Sequence, residues 1–432
     1  MTNNLDTAKF SHRRALRAGT ASFAGTTIEF YDFYVFATAA ALVFGPLFFP
    51  ESDPVIGVMF SFATYATGFF VRPLGGIIFG HIGDRFGRRR SLVITLLLMG
   101  AGTVLVGVLP THDQVGNLAP ILLIVLRIAQ GLAIGGEWGG AVLMSVETAP
   151  EKYKSFYGAF PQLGNPMGAL LSSGIFAMVS AAPDDFMMNG GWRIPFLLSA
   201  ALIVVGFWIR AKVEETPVFE QTAAENSSTE LPLRAAVRHS RVAMLVGIGL
   251  VPVSTGGYYI ITTFATAYGV SADVGLDETL ILNVLTFAAF TDVIVTLLIG
   301  WGADRMGRKR MFALSLISTC ILVAPMFLLM GHTPDWVLFP LFALVRLTLM
   351  GTWAPLSTLM AQMFEPSYRQ TSLSLSYGIG NAIWAGLSPV VATGLYAATG
   401  SIWSVIVLFA FMTAVSLISL YFARQIKDAA HD

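Results

Sequence analysis

Glu29 and Asp32 stand three residues apart in a long, mostly apolar run, and Arg72, Arg127 and Arg346 stand inside other apolar runs, with Glu137 and Asp292 as further acids at comparable depth. An ionic group in hydrocarbon costs at least ~2.5–3.5 kcal/mol when unpaired, so each must find a partner, a bundle interior or a water-filled cavity. On a helix, Glu29 and Asp32 share one face. Desolvation and the neighbouring like charge both disfavour their ionised forms, which is what a carboxylate that takes up and releases protons requires. The competing expectation is a structural ion pair with Arg127 or Arg72.

Arg127, Gln130 and Glu137 fall along one side of a second helix, giving a cation, an amide and an acid in one stripe. Glu137 lies among Gly135, Gly136, Gly139 and Gly140, where helices approach closely, so packing and proton coupling are both open to it. All six histidines lie in loops, tails or span ends, and the single cysteine, Cys320, excludes an internal disulfide and a cysteine metal site. The sequence holds no nucleotide-binding glycine loop, zinc spacing or Ser/His/Asp set, so no enzyme, cofactor or metal is expected. An ion gradient is the remaining source of energy.

The elements that must hold these groups are membrane spans. With 55% hydrophobic and 12% charged residues, against about 25% charged in a soluble domain, the chain is an all-α polytopic membrane protein. Charge-poor runs predict twelve spans, at 18–49, 55–80, 91–110, 119–146, 156–182, 193–211, 241–268, 277–300, 311–331, 336–363, 370–396 and 401–423. The first run is too long for a cleaved signal and reads as a span. Of 26 lysines and arginines, 22 fall in alternate loops, tails and the 210–241 segment. The opposite loops carry acids such as Glu51, Asp113, Asp184, Asp185 and Asp335, which predicts both termini in the cytoplasm. Zero net charge gives no case for a nucleic-acid partner.

Between the second and third spans the chain reads Gly80-His81-Ile82-Gly83-Asp84-Arg85-Phe86-Gly87-Arg88-Arg89-Arg90, and 220 residues on it reads Gly300-Trp301-Gly302-Ala303-Asp304-Arg305-Met306-Gly307-Arg308-Lys309-Arg310. Gly80 is expected to end a helix and Gly87 to reverse the chain, with the basic cluster in water. Asp84 and Asp304 could cap a neighbouring helix N-terminus or pair with a local arginine. The repeat divides the chain into residues 1–211 and 241–432, six spans each, joined by a polar cytoplasmic linker at 212–240.

The doubled turn resembles the loop signature of the major facilitator superfamily. Glu29-Phe30-Tyr31-Asp32-Phe33, Arg72-Pro73-Leu74-Gly75-Gly76, Arg127-Ile128-Ala129-Gln130-Gly131, Gly135 to Gly140 and Glu214-Glu215-Thr216-Pro217-Val218-Phe219 are similar to its metabolite:proton symporter family, and most to shikimate permeases. The resemblance implies two pseudo-symmetric six-helix halves and import of a small organic acid with a proton by alternating access. The relevant partners are then the solute, a proton and the lipid bilayer of the cytoplasmic membrane, with a monomer expected. A zwitterion such as proline or betaine, or a di- or tricarboxylate, is the alternative substrate; a membrane sensor is the non-transport alternative.

In the resembled fold the fourth helix lines the central cavity, which makes Arg127 an anchor for a substrate carboxylate and Gln130 a hydroxyl partner. Gln162, Asn165, Tyr258, Tyr259, Thr262, Trp353, Tyr377, Asn381 and Trp384 complete the expected cavity inventory, although tyrosine and tryptophan near span ends also serve as interfacial or packing residues. Arg72 and Asp292 each precede a turn by eight residues with opposite sign. Together with Asp84, Arg85, Arg88, Asp304, Arg305 and Arg308 they are the expected gating charges; a static pair or a hydrated residue is equally open for Arg72 and Asp292.

Overall fold

A computed structural model describes residues 11–180, 182, 186–225 and 231–429. Asp184, Asp185, the first ten residues and the middle of the linker lie outside them. The described chain is helical and contains no strand. Its spans are α1 (His12–Leu42), α2 (Met59–Phe86), α3 (Arg88–Val108), α4 (Leu118–Thr148), α5 (Glu151–Ser180), α6 (Met187–Ala211), α7 (Arg241–Gly269), α8 (Thr279–Met306), α9 (Arg308–Leu329), α10 (Asp335–Ala361), α11 (Pro366–Thr399) and α12 (Trp403–Ala423). Eleven are long and apolar enough to cross a bilayer by length and composition alone. The twelfth, α1, is diluted by its basic first turns and by Thr, Glu and Asp, and it buries these groups against its neighbours.

The two turns are single glycines. Gly87 has φ 110° and Gly307 φ 95°, a region that only glycine enters without strain. Gly80, expected as a helix end, lies inside α2, which continues to Phe86. Its missing side chain instead admits another helix: a Cβ there would stand 2.5 Å from Thr371 Cα of α11. The basic cluster is also not all solvated. Arg88 is completely buried, and Arg210, counted with the basic 210–241 segment although it ends the expected span 193–211, is buried in the last turn of α6. Both border apolar runs, where a cation is expected in water, and their burial is possible only because acids on other helices meet them.

α1 packs on α5, α3 on α4 and α6, and among the later helices α8 and α9 pack on α10. Across the two groups α2 lies against α11, and the start of α5 against α8. We call the end carrying the two glycine turns the basic end. The linker contributes two short helices there, Pro217–Glu225 and Pro232–His239. α7 is interrupted by π-helical turns at Pro252–Gly257 and Ile260–Phe264, and α11 by one at Asn381–Ala385. Such turns recur at functional sites; here two of them flank Tyr258 and Tyr259, and the third begins at Asn381.

Candidate functional site: a cavity between the two six-helix groups

Where the groups face each other at mid-depth, α1, α2, α4, α5, α7, α10 and α11 enclose a cavity of about 30 Å³. That is room for roughly one water, well below the ~300 Å³ of a small-molecule site. Aromatic rings fill the remainder. Glu29, Arg72, Trp138, Asn165, Tyr258, Tyr259, Trp353, Tyr377 and Asn381 all line it, so seven of the expected substrate or coupling residues and one expected gating residue meet at a single place. Gln162 does not line it, but donates to Ser357 Oγ of α10 at 2.6 Å.

The charges of α1 divide at the cavity edge. Glu29 faces the cavity with Phe30 and Phe33, and its Oε2 is buried without a hydrogen-bond partner. Asp32, three residues on and about 60° around the helix, turns into the first group, where it accepts from Ser199 Oγ of α6 at 3.2 Å while its Oδ2 is unpartnered. Gln130 turns the same way and donates to Thr103 of α3 at 2.7 Å. The expected stripe on α4 therefore splits: Ile134, Gly135 and Trp138 present to the cavity, while Gln130 and Glu137 face α3 and α6.

Arg127 is buried beside these groups without a carboxylate partner. Its Nε donates to the Tyr65 carbonyl at 3.2 Å, its guanidinium lies 4.5 Å from the Phe36 ring centre and 4.7 Å from that of Tyr65, and both terminal nitrogens are unpartnered. Arg72 lies 4.3 Å from the Phe69 ring centre, with its Nε unpartnered and no ion pair among the described residues. Ring faces partly offset the desolvation of a cation but leave its hydrogen-bond donors free. The first six helices thus hold two cations and two carboxylates with open bonding capacity, of which Arg72 and Glu29 line the cavity while Arg127, expected as the substrate anchor, and Asp32 do not.

Two other buried acids are held in ion pairs with buried arginines, although Asp292 Oδ1 and Arg210 Nε stay without a hydrogen-bond partner. Glu137 is held by Arg210 and Thr95, with Arg210 Nη1 also donating to the Leu92 carbonyl at 2.6 Å. Arg346 binds Asp292 through Nε at 3.0 Å and through Nη2, and lies 4.5 Å from the Tyr258 ring centre. Arg72 and Asp292, matched in sequence, are not brought together: Asp292 turns into the second group to meet Arg346, and Arg72 meets rings of the first. Sequence position gave α2 and α8 the same depth, but helix rotation sent their charges to different neighbours.

Two contacts across the groups escaped the sequence. Tyr34 of α1 reaches Asn165 Oδ1 and Tyr258 Oη, each at 3.3 Å, and Tyr258 donates to Asn165 Oδ1 at 3.1 Å. Trp138 stacks on Tyr377 with ring centres 3.6 Å apart and planes 11° from parallel. Tyr34 was within reach of inspection, since it follows Phe30 by four residues and shares its face; the Trp138 contact had no local signal.

At the basic end the repeated acids cap helices of the opposite group. Asp84 accepts from Gln370 N at 2.9 Å and Thr371 N at 2.8 Å, and Asp304 from Ser155 N at 2.9 Å and Phe156 N at 2.8 Å. Arg88 binds Asp84 at 2.7 Å and the Pro366 carbonyl at 3.1 Å, and Glu147, 3.6 Å away, joins it to Arg369 at 2.9 Å. Arg308 donates to Ser155 Oγ at 3.0 Å. Arg85 is exposed and Arg305 lies on its own helix's Trp301, 3.7 Å from the ring centre; neither makes a described contact across the groups. A carboxylate receiving two amides at a helix N-terminus is a charge-assisted contact favoured by the helix dipole.

Residues 18–231 match the Sugar (and other) transporter family and residues 253–431 the Major Facilitator Superfamily. The chain is 36% identical to the inner membrane metabolite transport protein YhjE of Escherichia coli, over 94% of this chain and 93% of that one. It is 35% identical to the shikimate transporter of the same organism, over 98% and 97%, and 30% identical to its proline/betaine transporter, over 88% and 77%. Among solved structures, the proton:xylose symporter XylE bound to 6-bromo-6-deoxy-D-glucose shares the fold with a TM-score of 0.76, at 15% identity over 96% of both chains. A twelve-helix membrane chain with near full-length relatives of this kind is a transporter and not an enzyme, and it belongs to the major facilitator superfamily.

Proposed function

We propose that the protein is a proton-coupled symporter that carries a small organic acid across the cytoplasmic membrane into the cell. Residues 1–211 and 241–432 rock against each other about the cavity, and the basic end with its linker at 212–240 faces the cytoplasm, as its lysines and arginines favour. The observation that carries this reading is the set of open groups in the first six helices: Arg72 and Arg127 without carboxylate partners, beside Glu29 and Asp32, each with an unpartnered oxygen. Arg127 and Arg72 supply the charge for a substrate carboxylate, and Glu29 and Asp32 the proton site. Asp84, Arg88, Asp304 and Arg308 hold the basic end shut.

A hydroxylated monocarboxylate such as shikimate is favoured as the solute. The phenols of Tyr258, Tyr259 and Tyr377 and the amides of Asn165 and Asn381 surround the cavity, and a near full-length relative is named for that substrate. A second reading, a zwitterion of the proline or betaine kind, is supported by the same wall, because Trp138, Trp353 and the tyrosine rings offer faces to a quaternary ammonium.

Charge arithmetic separates the two. A monoanion moving with one proton responds to the pH gradient alone, about 1.4 kcal/mol per unit. A zwitterion moving with one proton also gains about 2.3 kcal/mol per 100 mV. Uptake into proteoliposomes at clamped potential is therefore compared for shikimate, 2-oxoglutarate, citrate, proline and betaine. Shikimate is expected to respond to pH and not to potential, and Asp32→Asn to lose concentrative uptake while keeping exchange. Indifference of all five solutes to an imposed pH gradient removes proton coupling.

A further inference from the structure

At the basic end a lateral groove of about 860 Å³ runs between the end of α2, the start of α3, the end of α6 and the linker helix Pro217–Glu225. Its chemistry changes with depth. The rim carries Arg85, Arg89 and Arg90, and one turn further into the spans its wall is Val93, Ile94 and Phe207. Ile94 is 44% and Phe207 42% exposed.

Arg85 and Arg90 form no ion pair among the described residues, and Arg89 spends one donor on the Ala211 carbonyl at 2.5 Å, leaving others on its guanidinium. The acid in the groove, Glu215, is already engaged by the α3 N-terminus, accepting from Arg88 N at 3.1 Å and Arg89 N at 3.2 Å, and from Thr216 N at 2.9 Å. It forms no ion pair with Arg85, Arg89 or Arg90, and its single negative charge offsets at most one of the three positive charges of the rim. Cations over an apolar wall at a membrane boundary match a lipid that is anionic at its head and apolar below, and basic pockets between spans are known to take such headgroups.

We infer that this groove is a binding site for an anionic phospholipid, its phosphodiester against Arg85, Arg89 and Arg90 and an acyl chain along Ile94 and Phe207. Linker residues Phe219 and Ala223 line the same groove, so the bound lipid also fastens the linker to the first six helices. The repeat supplies an internal control. The equivalent position after the second turn is a smaller groove of about 470 Å³, which lacks the linker wall and has Asp304 beside Arg308 and Lys309.

The test uses the full-length protein in mild detergent, titrated with phosphatidylglycerol or phosphatidylcholine and read by native mass spectrometry. One phosphatidylglycerol is expected to bind with at least tenfold preference over phosphatidylcholine. Arg85→Gln with Arg90→Gln is expected to weaken it about thirtyfold, whereas Lys309→Gln with Arg310→Gln leaves it in place. Should the arginine variant fail to fold, Phe207→Ala, which shortens the acyl wall and keeps every charge, is expected to weaken the lipid several-fold without affecting glycerol 3-phosphate. Equal retention of the two lipids, equal loss in both charge variants, or glycerol 3-phosphate binding as tightly as the lipid each overturns the site.

Discussion

The buried pair of Glu137 and Arg210 separates a structural charge from a transporting one. Both side chains are almost completely buried, Glu137 at 0% and Arg210 at 3% exposure, and Gly25 of α1 leaves the space that the guanidinium occupies. Glu137→Gln keeps the shape and the contact with Thr95 but strands the arginine. Breaking one side of such a pair costs about 3–5 kcal/mol, whereas replacing both partners with apolar groups of similar volume is often neutral or better. Glu137→Gln and Arg210→Met alone are therefore each expected to lower the melting temperature of the purified protein by several degrees, and Glu137→Leu with Arg210→Met to recover most of it. Uptake measured on the same proteins completes the cycle. If the pair is purely structural, uptake recovers with stability in the double variant. Single variants as stable as the parent would refute the burial argument, and a stable double variant without concentrative uptake would transfer Glu137 to the proton pathway.

Three further outcomes follow from the contacts. Asp84→Ala removes two charge-assisted bonds to α11 amides, each worth about 1.5–3 kcal/mol, and spin labels at Arg90 and Met306 are expected to show a wider basic end; an unchanged distance distribution would count against Asp84 as a gate. Arg127→Met is expected to raise the KM for a carboxylate substrate tenfold or more while Arg127→Lys recovers part of it, whereas an unchanged KM in Arg127→Met would leave the cation a packing role. Tyr34→Phe deletes one hydroxyl that spans the two groups at mid-depth, and a change in relative uptake of shikimate and of its deoxy analogues is expected; identical ratios would exclude Tyr34 from substrate reading.

The gradient from local to long-range information is visible in particular residues. The twelve spans, the doubled glycine turn and the identity of the isolated charges Glu29, Asp32, Arg72, Arg127, Asp292 and Arg346 were legible, because each is a property of composition or spacing within a few turns. Placing Arg88 and Arg210 in water failed for a related reason: a local window sees a cation at the edge of an apolar run, and for Arg88 the nearby Asp84, but not the distant acid that completes the burial. Glu147 for Arg88 and Glu137 for Arg210 come from other helices.

By itself, then, the sequence determined that this chain must cross a membrane many times and that it carries a small stock of ionic groups too costly to leave in lipid. Only the tertiary structure decided which of them close on each other and which stay open at the cavity. The reason is rotational: each residue turns a helical side chain by about 100°, so positions three apart are offset by about 60° and positions eight apart by about 80°, enough to send Asp32 and Gln130 into the first group while Glu29 and Trp138 face the cavity. Such rotations are set by packing against distant helices, not by the residues alongside.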